Sequence, residues 1–461
     1  MAHSEPINIA NENRRLGELG NALSSVSFLV GAVALVAAIA IGYFFCGPYG
    51  EASQNGGLGT GLVRLQYAYL LGFVFFLTIT LGGLFFTMAL YITGAKWGIV
   101  IRRIPELAAR NAPILAILSL PIIIPMLFGS HALYEWADQT KYSGDAIARA
   151  AAQVHKEAVR ASDAHPMEKY LAVYQDLIHA KAPWLNVKFF TIRMVIYFLI
   201  WSGLGWYFYS RSVKCDETGD PVMYANAKWM SPLGIILFSL ATTFAAFDIL
   251  MSLTPTWYST IFGVYIFAGS NLSIFAFSIL AYRYLERHGI LSKAVTTEHY
   301  HDLGKLLFAF VFFWGYIAIS QYLLIWYANL PEETAFYYPR QSTTTWIVIS
   351  VLLLFGHLLI PFPGLLSRWV KRSRPALIFW ACWLLVAHWI DLYYIIMPTW
   401  AGRVAGDMLH PIDPPLPFLE ILCTIGVGGI WLGALARRAT GISLVPEKDP
   451  LINESLVFQN F

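Results

Sequence analysis

Charged residues are scarce in this chain of 461 residues: they make up 13% of the sequence, against 57% hydrophobic and 16% aromatic residues. A soluble globular domain holds about 25% charged residues, so this composition excludes that class. The net charge of +3 is also too small to indicate a nucleic-acid partner. We therefore expect an integral membrane protein in contact with lipid, with no nucleic acid among its partners.

Cysteine is scarce as well, and its arrangement excludes several cofactors. The four cysteines lie far apart and form no C-x-x-C or C-x-x-C-H motif: Cys46, Cys215, Cys382 and Cys423. Iron–sulfur clusters and covalently attached c-type haem need closely spaced cysteines. Zinc-ligand spacing, phosphate-binding loops and the nucleophile elbow of hydrolases are missing too. We therefore predict that the chain binds no metal and no redox cofactor of its own.

Long apolar runs dominate what is present. Runs of about 20 apolar residues, the length that crosses a bilayer as a helix, recur ten times. They cover residues 22–46, 66–93, 112–130, 188–209, 232–252, 258–282, 305–329, 343–366, 375–398 and 416–437. Trp and Tyr collect at the ends of these runs, as in the aromatic belts of membrane proteins. The sequence predicts an all-α integral membrane protein with ten transmembrane helices.

The distribution of Lys and Arg predicts the orientation of these helices. Fifteen basic residues lie in the short loops on one side, whereas the short loops on the other side hold only Arg64, Arg340 and Arg403. The basic loops are residues 94–111, 210–231, 283–305 and 364–375. Because basic loops stay in the cytoplasm, both termini are expected there. The first 21 residues are polar and show no cleavable signal peptide, so we expect a multi-pass protein of a bacterial inner membrane.

One sequence motif occurs twice. Residues 247–257 read F-D-I-L-M-S-L-T-P-T-W and residues 390–400 read I-D-L-Y-Y-I-I-M-P-T-W, so that Asp248 and Asp391 each precede a Pro-Thr-Trp by seven positions. Both aspartates are expected in the last turns of their helices at the outer face, where the helix dipole disfavours negative charge. An Asp inside a membrane span indicates a functional site. The alternative is an Asp that only bonds a neighbouring helix.

The repeat divides the chain into four regions. Residues 66–252 are predicted to form a first four-helix bundle that includes a long outer loop, 131–187, and residues 253–398 a second bundle. Residues 1–65 add the cytoplasmic N-terminus, the first helix and the first outer loop. Residues 399–461 add the last outer loop, the tenth helix and the cytoplasmic C-terminal tail. An even number of helices in each unit makes this a parallel repeat.

The long outer loop has an apolar pattern of its own. Apolar residues recur at helical spacing on both sides of Pro166, which predicts two amphipathic helices on the outer surface. Their apolar faces would cover either this bundle or a partner.

Several polar residues near the outer face are candidates for proton transfer. His388 and Asp391 are three positions apart and share a helix face, so the imidazole can exchange a proton beside a carboxylate. Arg193 is the expected counter-ion of one of the two aspartates. The remaining outer candidates are His131, Glu135 and Asp138. Hydroxyls inside the spans, Thr78 among them, mark a candidate hydrated path.

His357 lies well inside the eighth span and is the deepest candidate. A haem b held by His357 and His388 is opposed by the different depths expected for these residues on consecutive helices. For His388 the alternative is a single histidine bonded to a backbone carbonyl.

Four segments carry a resemblance to a known family. These are N-E-N-R-R-L-G-E-L-G at 11–20, R-R-I-P-E-L-A-A-R-N-A-P at 102–113, S-H-A-L-Y-E-W at 130–136, and the paired P-T-W motifs. Over nearly its full length the chain resembles NrfD/polysulfide-reductase membrane subunits, and among them the second NrfD-like subunit of alternative complex III, a bacterial quinol:cytochrome c oxidoreductase. The resemblance implies ten helices in two bundles, a place in a respiratory chain, and proton translocation.

The resemblance also implies partners. They are a sister NrfD-like membrane subunit, an extrinsic iron–sulfur subunit, multihaem and monohaem cytochromes c, and in some complexes a terminal oxidase. In the sister subunit quinol is bound by a His with a nearby Asp, and His131 is the counterpart of that His. The start of span four, residues 186–193, carries no carboxylate, so we expect no high-affinity quinol site beside His131. The alternatives are a quinol-binding subunit and a stand-alone secondary transporter.

Overall fold

The computed structural model describes residues 11–44, 60–138, 180–405, 411–414 and 416–459. Within these ranges the chain is helical and no β-strand forms. Ten helices are long and apolar enough to cross a membrane, which confirms the predicted fold class. They are α1 (Gly17–Phe44), α2 (Thr60–Thr93), α3 (Arg103–Leu127), α4 (Val187–Thr218), α5 (Pro221–Ile249), α6 (Phe262–Arg287), α7 (Thr297–Ala328), α8 (Thr344–Leu366), α9 (Arg374–Ala405) and α10 (Phe418–Ala439). The two predicted surface helices fall between residues 139 and 179, outside the described residues.

Several helices extend beyond the apolar runs that predicted them. Helix α4 begins where the Asn186 side chain accepts a hydrogen bond from the Phe189 amide at 2.9 Å, and it ends at Gly219, whose φ of 71° is left-handed. Asp220 then caps α5, which starts at Pro221, eleven residues before the predicted span 232–252. A search for apolar runs detects the part of a helix that sits in hydrocarbon, whereas caps determine where the helix ends.

The second Pro-Thr-Trp motif lies inside a helix, contrary to the expectation that both motifs close their spans. Helix α5 stops at Ile249, and Pro255 follows it outside the helix. Helix α9 continues through Pro398 to Ala405. Asp391 is therefore about four turns from its helix end, and the argument from the helix dipole applies to Asp248 alone.

Two spans are interrupted by changes in helix type. Helix α3 consists of three short segments that each begin near a proline or contain one. Helix α8 is α-helical from Thr344 to Leu353, becomes a π-helix over Leu354–Leu359, and resumes at Pro361. A π segment inserts one extra residue into the helical register and is common at functional sites.

Helices α2 and α6 form the centre of the molecule. In the described structure α2, α3, α4 and α5 contact one another in a ring, as do α6, α7, α8 and α9, and α2 packs directly on α6. At their crossing, a Cβ added to Gly82 would lie 2.0 Å from the carbonyl oxygen of Ser270. Only glycine permits this approach, and small residues are the usual means of close helix packing in membranes.

Helices α1 and α10 pack together outside the two rings and also contact α2. Their closest point is glycine against glycine, since a Cβ on Gly429 would lie 2.5 Å from Cα of Gly31. The segment after α10 continues along the ends of the helices, where the amide of Leu444 bonds the Arg14 carbonyl at 2.8 Å. Arg102 binds both Glu106 and Asp449 at 2.7 Å, which attaches this C-terminal segment to the start of α3.

Candidate functional site

Asp248, from the first copy of the motif, is a fully paired carboxylate. Arg193 of α4 donates to both of its oxygens, Nε to Oδ2 at 2.7 Å and Nη2 to Oδ1 at 2.9 Å. Tyr197, one turn further along α4, donates to Oδ2 at 2.7 Å, and the Trp184 indole donates to Oδ1 at 2.9 Å. Asp248 is completely buried. The predicted counter-ion role of Arg193 is confirmed, and a bidentate guanidinium makes this site suited to structural charge pairing.

Asp391, from the second copy, has only neutral partners in the described part of the chain. The Tyr265 hydroxyl of α6 donates to Oδ1, and the Trp314 indole of α7 donates to Oδ2 at 3.1 Å. The side chain is 1% exposed. Without a cation, a negative charge on Asp391 is stabilised by two neutral donors alone, so a bound proton lowers the cost of burying this group.

His388 does not pair with Asp391, although the two residues share a helix. Its Nε2 lies 3.0 Å from the hydroxyl oxygen of Thr78 on α2, while no bond joins the imidazole to the Asp391 carboxylate among the described residues. Glycine at position 269 makes room for this ring, since a Cβ there would lie 2.6 Å from Cε1 of His388. The direct His–Asp pair expected from helical spacing is therefore wrong, because the side chains turn to different neighbouring helices.

His357 lies next to His388, which corrects the expectation of different depths. The two ring centroids are 6.4 Å apart. His357 belongs to the π segment of α8, and its ring packs on the Trp314 indole with 3.7 Å between centroids. The adjacent Gly356 carbonyl accepts a 2.6 Å bond from the Trp383 indole, which stabilises the irregular turn. The π register brings His357 to the interior of the second ring of helices.

Five side chains thus form one buried group, called here the second-bundle cluster: Tyr265, Trp314, His357, His388 and Asp391. Trp314 connects the group, since its indole bonds Asp391 and its ring covers His357. The cluster holds two imidazoles and one carboxyl, and no group of three or more metal-ligating residues occurs in the described structure. Side chains of these types are able to exchange protons.

A cavity of about 570 Å³ adjoins this cluster. Tyr265 and Trp314 form part of its wall, so the hydroxyl that bonds Asp391 belongs to a residue that lines the cavity. Its other polar lining residues are Tyr322, Tyr337, Gln341, Ser350 and Tyr394. Half-exposed apolar residues of the same wall, such as Ile347 and Val351, show that the cavity reaches the molecular surface.

The outer candidates in residues 131–138 sit on the first ring of helices. Nε2 of His131 lies 3.6 Å from Oδ2 of Asp138. A carboxylate thus lies beside His131, but it comes from the same loop and not from the start of α4, which carries none. Glu135 begins a short 3₁₀ helix between them, Glu135–Ala137. The Tyr134 hydroxyl donates to the Ile249 carbonyl at 3.0 Å, which places this loop against the end of α5 next to Asp248.

Two cations bind backbone carbonyls around the repeated motifs. Arg340, which is 2% exposed, donates to the carbonyls of Tyr394 and Ile395 at 2.9 and 2.8 Å, one turn beyond Asp391. Lys181 donates to the carbonyls of Pro255 and Trp257 at 2.6 and 3.2 Å. Burial lowers the pKa of Lys181 to about 8. Neither residue was predicted from the sequence to belong to a site, because binding to backbone carbonyls leaves no pattern of paired charges in the sequence.

Sequence reasoning also missed Tyr265, Trp314 and Tyr197. Trp and Tyr were interpreted as members of an aromatic belt, and nothing in their spacing distinguishes a belt residue from a carboxylate partner. Thr78 was among the hydroxyls singled out for a hydrated path, and it does bond a histidine.

Neither a known protein-family model nor a curated protein matches this chain at a significant level. The function therefore has to be inferred from the geometry of the chain and from the sequence motifs.

Proposed function

We propose that this chain is a cofactor-free membrane subunit of a bacterial respiratory complex that oxidises quinol, and that it moves protons through its second ring of helices. The observation that carries the proposal is the second-bundle cluster, which buries two imidazoles and a carboxyl without a counter-ion in the described structure. Ionisable residues inside membrane spans are costly and occur in proton relays.

The cluster has the parts that a relay needs. Asp391 can gain or lose a proton without breaking an ion pair, since its partners are neutral donors. Imidazole can accept a proton on one nitrogen and release another from the other nitrogen. Tyr265 lines the adjoining cavity, so a single hydrogen bond joins Asp391 to the wall of a space that has further polar side chains. The first copy offers no such freedom, because Asp248 is held in a bidentate ion pair with Arg193.

The assignment to a quinol-oxidising complex rests on the four sequence segments that resemble the second NrfD-like subunit of alternative complex III. Under this assignment the partners are the sister membrane subunit, the iron–sulfur subunit and the cytochromes c, with the redox centres outside this chain. The inner membrane is the expected location, with both termini in the cytoplasm.

A pull-down from native membranes tests this assignment against a stand-alone transporter. With a tag on the C-terminal end of the chain, we expect haem-stained cytochromes c and an iron–sulfur protein to co-purify in fixed ratio. A transporter would purify without them. In a second arm the chain is purified alone, and stoichiometric haem or iron in that preparation would contradict a cofactor-free subunit.

The pair His131–Asp138 favours a second candidate function, direct quinol binding, because a His beside an Asp is the combination that the sister subunit uses. We still expect no high-affinity quinol site here, since the pairing carboxylate comes from the loop and not from the position in α4 that the resemblance implies. The test is His131→Ala in an assembled complex. Retained quinol oxidation excludes this candidate, whereas complete loss with assembly intact establishes it.

A further inference from the structure

Three buried imidazole nitrogens have no hydrogen-bond partner in the described structure. They are Nδ1 and Nε2 of His357 and Nδ1 of His388. The two side chains are 0% and 1% exposed. Each buried polar atom left without a partner costs about 1–3 kcal/mol, and native proteins leave few of them. Two neighbouring rings that each have an unpartnered nitrogen indicate a shared polar partner that is not a side chain of the described residues.

The two imidazole rings are far enough apart for one small molecule to bind between them. Their centroids are 6.4 Å apart at an interplanar angle of 57°, and no direct hydrogen bond joins them. A bridging water spans two hydrogen bonds of about 2.9 Å each, so it can reach a nitrogen on each of two rings at this spacing. Water is the one small partner that both donates and accepts, which suits two neutral imidazoles whatever their tautomers.

Each of the two rings lies beside an unusual feature of its own helix or of a neighbouring helix. Residue 269, opposite His388, is a glycine, and a Cβ there would lie 3.0 Å from Nδ1, the unpartnered nitrogen. His357 projects from the π segment, where the wider turn displaces the helix backbone from its regular path. Both irregularities occur at the two unpartnered imidazoles.

We propose that a buried water joins His357 to His388, so that the two imidazoles and the Thr78 hydroxyl form one hydrogen-bonded line between the two rings of helices. Thr78 belongs to α2, His388 to α9 and His357 to α8, and Nε2 of His388 is already 3.0 Å from the Thr78 hydroxyl. This inference deepens the proposed proton-transfer function and depends on it for its role, although the water site itself stands independently.

Proton movement along this line conserves atoms and charge. A proton that arrives on His357 makes it an imidazolium, which protonates the bridging water while that water donates one of its own protons to Nδ1 of His388. His357 is then neutral, the water is unchanged, and His388 carries the charge with its Nε2–H still bonded to the Thr78 hydroxyl oxygen. No oxidant or reductant takes part, and every step exchanges one O–H or N–H bond for another.

The site is tested first by a high-resolution map of the whole complex. We expect density for one water within hydrogen-bond distance of a nitrogen of each ring, and its loss in His357→Phe, which keeps an aromatic ring for stacking on Trp314. ¹⁵N NMR of labelled histidine in the unmodified complex supplies a second readout that needs no variant. Hydrogen-bonded nitrogens on both residues support the bridge, whereas rings that contact only apolar atoms, or a metal ion between them, overturn it.

The relay is tested by proton release from the same complex in vesicles. We expect His357→Phe to slow proton release at least about tenfold, since a positioned proton-transfer group contributes on the order of 10²–10⁴. The matched control is His288→Phe, because His288 is an exposed residue that bonds the Tyr284 carbonyl at the end of α6. Equal rates in the two variants would overturn the relay. A complex that releases no protons in unmodified form refutes the proposed function, while the map still decides the water site.

Discussion

The two copies of the repeated motif place an aspartate at comparable positions and surround it differently. Asp248 has four hydrogen bonds, two of them from Arg193, and Asp391 has two, from Tyr265 and Trp314. Both residues are buried. A bidentate guanidinium compensates a buried charge, whereas two neutral donors leave the carboxyl able to change its charge state. The same sequence motif therefore supports a structural ion pair in one ring of helices and a candidate proton site in the other.

The surroundings show the same division. Around Asp248 the partners are a cation, a phenol and an indole that all donate to the carboxylate. Around Asp391 lie two further titratable groups, His357 and His388, with nitrogens that have no protein partner in the described structure. The motif places a carboxylate in each ring of helices, and the neighbouring helices determine what each carboxylate can do.

The largest expected effect is a loss of stability when Asp248, the aspartate of the first copy, loses its cation. Arg193→Met should lower the stability of the assembled complex by about 3–5 kcal/mol, because Asp248 is then a buried charge without its partner. The unfolding midpoint and the yield of assembled complex measure this loss. The double variant Arg193→Met with Asp248→Asn should recover much of it, since neither charge remains. An equally unstable double variant would show that packing of Arg193, and not its charge, holds the site.

The next prediction compares the Asp→Asn variants of the two copies, by their stability and by their proton release. Asp248→Asn leaves Arg193 uncompensated and should again cost about 3–5 kcal/mol, whereas Asp391→Asn breaks no ion pair and should cost nearer 1–2 kcal/mol. In complexes that assemble, Asp391→Asn should reduce proton release more than Asp248→Asn, with quinol oxidation largely spared. Melting curves measure which variant loses more stability, and proton release in vesicles measures which variant loses more proton transfer. Equal, negligible effects on release would leave both aspartates with a structural role alone.

A smaller effect is expected from the phenols that bond the two carboxyls. Tyr265→Phe removes one of the two donors to Asp391, and we expect proton release to slow by about tenfold, the equivalent of about 1.4 kcal/mol. Tyr197→Phe is its counterpart, and it should cost less than about 1 kcal/mol of stability because Arg193 and Trp184 remain on Asp248. Proton-release rates and unfolding midpoints of the two variants are compared side by side. A slower release in Tyr197→Phe than in Tyr265→Phe would reverse the assignment of the proton site.

The smallest effect concerns Lys181, which binds the Pro255 and Trp257 carbonyls of the first motif alone. Its pKa is about 8 in the folded protein, below the ordinary value of 10.5. The folded state thus binds fewer protons than the unfolded state between these values, and stability should rise slightly as pH increases from 8 to 10.5. Unfolding midpoints across this interval, with Lys181→Met as the control that lacks the rise, measure it. If the stability of Lys181→Met rises equally between these pH values, the increase comes from other titratable groups.

The local sequence was sufficient to predict the ten membrane helices and the cation that pairs with one of the two aspartates. Ten apolar runs predict ten membrane helices because each span must satisfy its backbone within itself and bury about 20 apolar residues in lipid. Arg193 was identifiable as a counter-ion because a buried cation near a buried carboxylate has few other partners. These inferences need no knowledge of which helices touch.

The second-bundle cluster required the tertiary structure. Spacing predicted that His388 pairs with Asp391, yet α2 supplies the partner of the His, and α6 and α7 supply the partners of the Asp. The π segment of α8 brings His357 beside His388, and the continuation of α9 through Pro398 removes Asp391 from the helix end. The periodicity of one helix determines which residues share a face. The helix opposite that face, and so the partner of each buried polar group, depends on packing between segments far apart in the chain.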